Sequence, residues 1–264
     1  MSFLNPYATR LEEYPELVLN GPEVGTRRGE WDVFFRDRMG RSASRAILEI
    51  GCSNAEFLTG RAEEQSDVAF IGMDWKFKVL YKGAKRAHDR GLKNVALLRA
   101  KAQELSRMFG EAELDEIWIF FPDPWAKKSQ LKNRLVRESF LKDAHRALKP
   151  GGAIYFKTDH PGYFQWILSL FGVQQPELLS YDDEAPTAPS RRARQIKVRR
   201  LEDSDDLPPT SEVVRGLFRL ENMTTDYWGA FARPPRLFSS SVTLFEKLFV
   251  KEQLPIYYLE LAKI

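Results

Sequence analysis

The stretch Arg45-Ala-Ile-Leu-Glu-Ile-Gly-Cys-Ser-Asn-Ala-Glu56 begins as a mainly apolar run, pivots at Gly51, and enters a helical pattern from about Asn54. A short apolar run that turns at once into a helix marks a strand covered on both faces, the opening of a β-α-β unit. The alternation continues outward from there. Val68-Ala-Phe-Ile-Gly-Met-Asp74 reads as a second strand, Lys76 to Arg90 as a basic helix, Val95 to Leu98 as a third strand and Glu116-Ile-Trp-Ile-Phe-Phe121 as a fourth. Helix signals return from Arg137 to Leu148 and stop at Lys149-Pro-Gly-Gly152; a fifth strand follows at Ala153 to Lys157, and a helix at Tyr163 to Phe171. Pro255 to Leu261 reads as a last strand. The pattern predicts an α/β, doubly wound fold on a mostly parallel sheet.

Composition narrows the partners. Among 264 residues, 40 Lys and Arg face 37 Asp and Glu, a net charge of +3 that excludes binding to nucleic acid by bulk charge alone. Hydrophobic residues at 43% suffice for a real core. The single cysteine, Cys52, cannot close an internal disulfide and fits a reducing compartment. Neither a signal-peptide pattern nor a membrane-length apolar run occurs, so a cytoplasmic protein without a membrane partner is expected. Residues 1–44 read as an N-terminal extension and 45–264 as one domain. Within it, an insertion at about 174–212 carries alternating acidic and basic blocks, among them the Arg191 to Arg200 cluster, and is expected to be mobile.

In a doubly wound sheet, ligands sit beyond the carboxyl ends of the strands, near the point where strand order reverses. Four such ends carry acids: Glu49 with Gly51, Asp74, Asp123 and Asp159. Small residues after the first strand let the backbone approach a nucleoside cofactor, and an acid ending the second strand is placed to accept from ribose hydroxyls. Taken alone, that segment fits an ordinary tight turn equally well. Phe120-Phe-Pro-Asp-Pro-Trp-Ala-Lys127 is more unusual, because two prolines fix Asp123 at a strand end while Trp125 and Lys127 offer a flat face and a cation. With Lys132, Arg134 and Arg137 beyond it, the loop suits a nucleobase and its phosphates. Thr158-Asp159 and Thr243-Leu-Phe-Glu246 supply carboxylates able to accept from the Watson–Crick edge of guanine, although by pattern alone Glu246 is more simply a surface carboxylate. His88, His145 and His160 lack metal-ligand spacing, so no metal is expected.

Leu48-Glu-Ile-Gly-Cys52, Gly72-Met-Asp74, Phe121-Pro-Asp-Pro-Trp-Ala-Lys127, Phe156-Lys-Thr-Asp159 and Thr243-Leu-Phe-Glu246 occur in an order that resembles the bacterial tRNA (guanine-N7-)-methyltransferases. The resemblance implies a Rossmann-like methyltransferase fold with a mostly parallel seven-stranded sheet. It also implies S-adenosyl-L-methionine as cofactor and a guanosine in the variable loop of tRNA as substrate. Carried over position by position, Glu49, Gly51, Asp74, Lys101 and Asp123 would bind the cofactor, with Asp123 also catalytic. Lys127, Asp159, Thr243 and Glu246 would bind the guanosine. The chain departs from the family in having Ser53 and Ala55 where glycine usually repeats, and Lys101 where an Asp often lies near the adenine. A monomer or homodimer is expected. The alternatives are a methyltransferase acting on another RNA or a small molecule, and an RNA-binding paralogue with weakened cofactor binding.

Overall fold

The computed structural model describes residues 5–173, 207–230, 242–252 and 254–264. Most of the expected mobile insertion, including the Arg191 to Arg200 cluster, lies outside the described residues.

The chain begins with α1 (Pro6–Leu11), β1 (Val18–Asn20) and α2 (Trp31–Met39). The winding then proceeds through β2 (Arg45–Ile50), α3 (Glu56–Glu64), β3 (Val68–Asp74), α4 (Phe77–Asp89) and β4 (Val95–Arg99). After α5 (Leu105–Met108) come β5 (Leu114–Phe120), α6 (Glu138–Ala147), β6 (Leu148–Thr158) and α7 (Pro161–Leu170). The described chain resumes with α8 (Glu212–Leu217), β7 (Phe218–Thr224), α9 (Tyr227–Ala230), α10 (Leu244–Lys251) and β8 (Tyr257–Lys263).

The strands form one sheet in the order β1-β4-β3-β2-β5-β6-β8-β7. The pairings from β1 to β6 are parallel, while β8 runs antiparallel to both β6 and β7. The expected seven-stranded sheet is therefore corrected to a mixed sheet of eight strands. β1 escapes the sequence because its three residues are too few to show a period; only pairing with Leu97–Arg99 defines it. β7 escapes because Phe218-Arg-Leu-Glu-Asn-Met-Thr224 is largely exposed and breaks its apolar pattern with Arg219, Glu221 and Asn222, which suits an edge strand that must not recruit another. The breaker Lys149-Pro-Gly-Gly152 lies within β6, not in a loop before it. The β5–β6 register slips there, and only glycine fits at Gly152, where an added Cβ would lie 2.9 Å from the Asp115 carbonyl.

Alternate residues of the central strands feed two apolar layers. Leu48, Ile71, Leu98, Ile117, Ile119 and Phe156 pack with α2, α6 and α7, while Ile47, Phe70, Leu97 and Trp118 pack with α3 and α4. Burial on both faces explains the near-continuous apolar runs from which the fold is legible. The winding moves outward from β2 to β4 and then returns to place β5 against the other side of β2. Strand order thus reverses between β2 and β5, and the crevice opens beyond their carboxyl ends. Because β8 is antiparallel, its first residue, Tyr257, pairs with Thr158 at that same edge. The preceding helix, α10, is thereby carried to the crevice from far along the sequence.

Among the described residues, no helix is long and apolar enough to cross a membrane, and no cluster of His, Cys, Asp or Glu could hold a metal ion.

Candidate active site at the strand-order reversal

Glu49 is the penultimate residue of β2 and is 5% exposed, and its Oε2 is buried without a hydrogen-bond partner. Burial, reinforced by the negative charges of Glu246 and Asp74, pushes its carboxyl up to about 8. Such a group is a poor feature for stability and a good receptor for a cation. Beyond it the chain turns through Gly51, at φ +83°, where an added Cβ would meet no atom within 4 Å. Ser53 and Ala55 also adopt left-handed backbone, φ +51° and +50°. The loop thus follows a path suited to glycine although two of its residues are not glycine.

Asp74 closes that loop from β3. Its Oδ2 accepts from the Ser53 amide at 3.2 Å and its Oδ1 from the Lys76 amide at 2.9 Å, which leaves lone pairs for a diol. Partial burial raises its pKa. Beside it, a cavity of about 440 Å³ is lined by Trp75, Arg99, Lys101, Arg107 and the turn around Gly21 and Val24. Trp75 is 57% exposed at its rim. The buried acid with an orphaned oxygen, the open space over Gly51, the carboxylate of Asp74 and an adjoining cavity of nucleoside size fit an adenosyl cofactor. The residues that would hold it are Glu49, Gly51, Asp74 and Lys101, with Trp75 and Arg99 added by the structure.

Across the reversal, β5 ends at Phe120 and the chain enters Phe121-Pro-Asp-Pro-Trp125. Phe121 and Trp125 have φ of +52° and +47°, conformations that bulky residues adopt only when the surroundings enforce them. Three contacts do so. The Phe121 amide donates to the Lys157 carbonyl at 2.8 Å, the Phe121 ring lies 5.1 Å from that of Phe249 on α10, and Arg134 Nε donates to the Pro124 carbonyl at 2.8 Å. Asp123 and Lys127 are exposed on this braced turn. Arg134, which the sequence groups with the basic residues suited to a nucleobase and its phosphates, does not face outward. It is fully buried, its guanidinium lies over Tyr163 and Trp166, and its Nη1 donates to the Gly162 carbonyl.

The last group comes from β6 and α10. Asp159 follows β6 and is half-buried. Thr243 and Glu246 form a reciprocal cap on α10: the Glu246 amide donates to Thr243 Oγ1 at 3.1 Å and the Thr243 amide donates to Glu246 Oε2 at 3.0 Å. Glu246 is not a surface carboxylate. It is buried, and its Oε1 accepts from Lys157 Nζ at 2.7 Å. Lys157, also buried, has its ammonium 3.9 Å from the Tyr227 ring centroid and 5.0 Å from that of Phe120. Burial lowers its pKa, opposed by the charge of Glu246. Lys157 was legible in sequence only as a cation at the end of an apolar strand. His160 caps α7 by accepting from the Tyr163 amide, a structural role.

A family model described as "Putative methyltransferase" matches residues 43–199. A tRNA (guanine-N(7)-)-methyltransferase of Bdellovibrio bacteriovorus is 34% identical over 158 residues, covering 59% of this chain and 74% of that protein. One of Porphyromonas gingivalis is 37% identical over 161 residues, covering 60% of this chain and 63% of its own length. A bifunctional glycosyltransferase/methyltransferase of Fusobacterium nucleatum is 35% identical over 167 residues, and the chain spans 25% of that longer protein. In fold, the chain resembles the 16S rRNA methyltransferase KamB at a TM-score of 0.50 and 15% identity, over 88% of this chain and 93% of that one. The architecture is thus Rossmann-like, of the methyltransferase kind.

Proposed function

The chain belongs to the tRNA (guanine-N7-)-methyltransferase family and is an S-adenosylmethionine-dependent methyltransferase, and on that premise we propose that it methylates N7 of a guanosine in the variable loop of tRNA. When bound, the cofactor supplies a sulfonium-activated methyl group. N7 of guanine carries a free lone pair, so the protein needs no strong base; alignment and charge are what it must provide. The observation that carries the reading is the braced Pro122-Asp123-Pro124 turn, which sets an exposed carboxylate at the strand-order reversal, on the opposite side from the buried Glu49.

In this reading Glu49 and Asp74 bind the cofactor's charged end and ribose, while Trp75, Arg99 and Lys101 enclose its base. Asp123 borders both ligands and stabilises the positive charge that develops on the purine. Lys127 meets phosphate from its exposed position, and Asp159, Thr243 and Glu246 orient the base edge. Glu246 is buried but borders a cavity that Trp228 and Val242 also line. Incubating unmodified tRNA transcripts with labelled cofactor and mapping the product tests the reading. 7-Methylguanosine at one variable-loop position is the expected result; methylation elsewhere, or none, overturns it.

A further inference from the structure

The buried Lys157–Glu246 pair ties two parts of the chain that the proposed guanosine site needs at a fixed spacing. Lys157 is the residue two before Asp159 on β6, and Glu246 caps the helix that carries Thr243. Both side chains are essentially inaccessible, at 0% and 2% exposure. A buried ion pair of this kind contributes little net stability compared with apolar packing, so its presence points to a task other than holding the fold. The surroundings define that task. Glu246 lies near enough to Glu49 for the two carboxyls to interact, and Lys157 supplies the adjacent positive charge that a buried carboxylate requires. Lys157 also lies against the Tyr227 and Phe120 rings, which hold its ammonium beside Oε1. The Thr243 amide takes Oε2. With one donor on each oxygen, the carboxylate plane is fixed and each oxygen keeps a lone pair.

We infer that Lys157 is a positioning residue for purine recognition: through its bond to Glu246 it compensates and orients the carboxylate that accepts from the guanine edge. The inference rests on the proposed tRNA reading. Lys157 is placed to act on the base through Glu246, to whose Oε1 its Nζ donates.

A double-mutant cycle of Lys157→Met and Glu246→Gln tests this, read by KM and kcat on unmodified tRNA, by S-adenosylhomocysteine affinity and by thermal melting. Lys157→Met is expected to raise KM for tRNA at least about tenfold, with a smaller change in kcat and cofactor-product affinity held within about threefold. In the Glu246→Gln background the same substitution adds no further rise in KM. Lys157→Gln, which keeps a donor for Oε1 without the charge, covers the case in which Lys157→Met does not fold, and should give an intermediate KM. An unchanged KM, a rise that persists in full on Glu246→Gln, or an equal loss of cofactor-product affinity overturns the inference while leaving the tRNA reading intact. A wild-type protein that binds S-adenosylhomocysteine but leaves tRNA unmethylated overturns the tRNA reading and this inference with it.

Discussion

Arg134 reaches from beneath the Pro122-Asp123-Pro124 turn to the Pro124 carbonyl, its Nε donating at 2.8 Å, so a fully buried guanidinium fixes the residue that follows Asp123. The same side chain donates to the Gly162 carbonyl on the first turn of α7, which ties the loop to the body of the domain. Arg134→Ala removes both donors and leaves a cavity under Tyr163 and Trp166. Stability is expected to fall by about 2–4 kcal/mol, read by chemical denaturation. Below the melting transition kcat should drop while S-adenosylhomocysteine still binds, because Glu49 and Asp74 stand on other strands. Wild-type stability would show that the turn braces itself.

Asp123 presents the opposite case, a residue exposed on the turn that Arg134 braces. Asp123→Asn keeps the shape of the turn and removes the charge. Methyl transfer is expected to slow by about 10²–10³-fold, the cost of deleting one preorganised electrostatic contact. The melting temperature, read alongside, separates lost activity from lost fold. Near-normal turnover in a single-turnover assay would remove Asp123 from the catalytic role.

Glu49 makes cofactor uptake depend on pH. With its carboxyl pushed up to about 8 by burial and by Glu246 and Asp74, the ligand-free protein holds Glu49 protonated at neutral pH. A cationic ligand favours the ionised form, so binding at pH 7 releases a proton, and affinity should rise about tenfold between pH 7 and pH 9. Calorimetry in buffers of different ionisation enthalpy reads the proton directly; no dependence on buffer would refute the linkage. Stability runs the other way. The folded pKa of Glu49 lies above its unfolded value, so its contribution is full below about 4.5 and is lost as pH rises to about 8. Glu49→Gln should flatten the melting profile of the ligand-free protein across that window.

Ser53 tests how the cofactor loop tolerates its missing glycine. Its φ of +51° costs a side chain that glycine would not carry, and its own contact to Asp74 is through the backbone amide. Ser53→Gly should therefore stabilise the protein by about 0.5–1 kcal/mol, visible as a higher melting temperature, without weakening cofactor binding. A lower melting temperature would mean that the greater freedom of glycine in the unfolded chain outweighs the relief.

The strand-end acids are legible in the sequence because β2, β3, β5 and β6 are covered on both faces and so spell themselves as apolar runs that stop at Glu49-Ile-Gly51, Asp74, Pro122 and Thr158. Parallel strands of one sheet all end at one edge, so their acids had to converge. What tertiary pairing alone decides was not legible. Val18-Leu-Asn20 becomes a strand only against β4, and Arg134 and Lys157 look like surface cations until the packing of α7 and α10 encloses them. Nothing in the spacing of Glu246 reveals that it is buried, since the cap that holds it is local and its burial partner lies on β6.

That partner is 89 residues away, which has a kinetic consequence. Closing so long a loop is entropically slower than joining neighbouring β-α units, so the pair belongs to a late step of folding. The half of the crevice built by β2, β3 and β4 can assemble from near neighbours, whereas the half that includes α10 waits for a distant segment to dock. By the same reasoning, local opening begins with α10, and hydrogen exchange should run faster there than in β2 and β3.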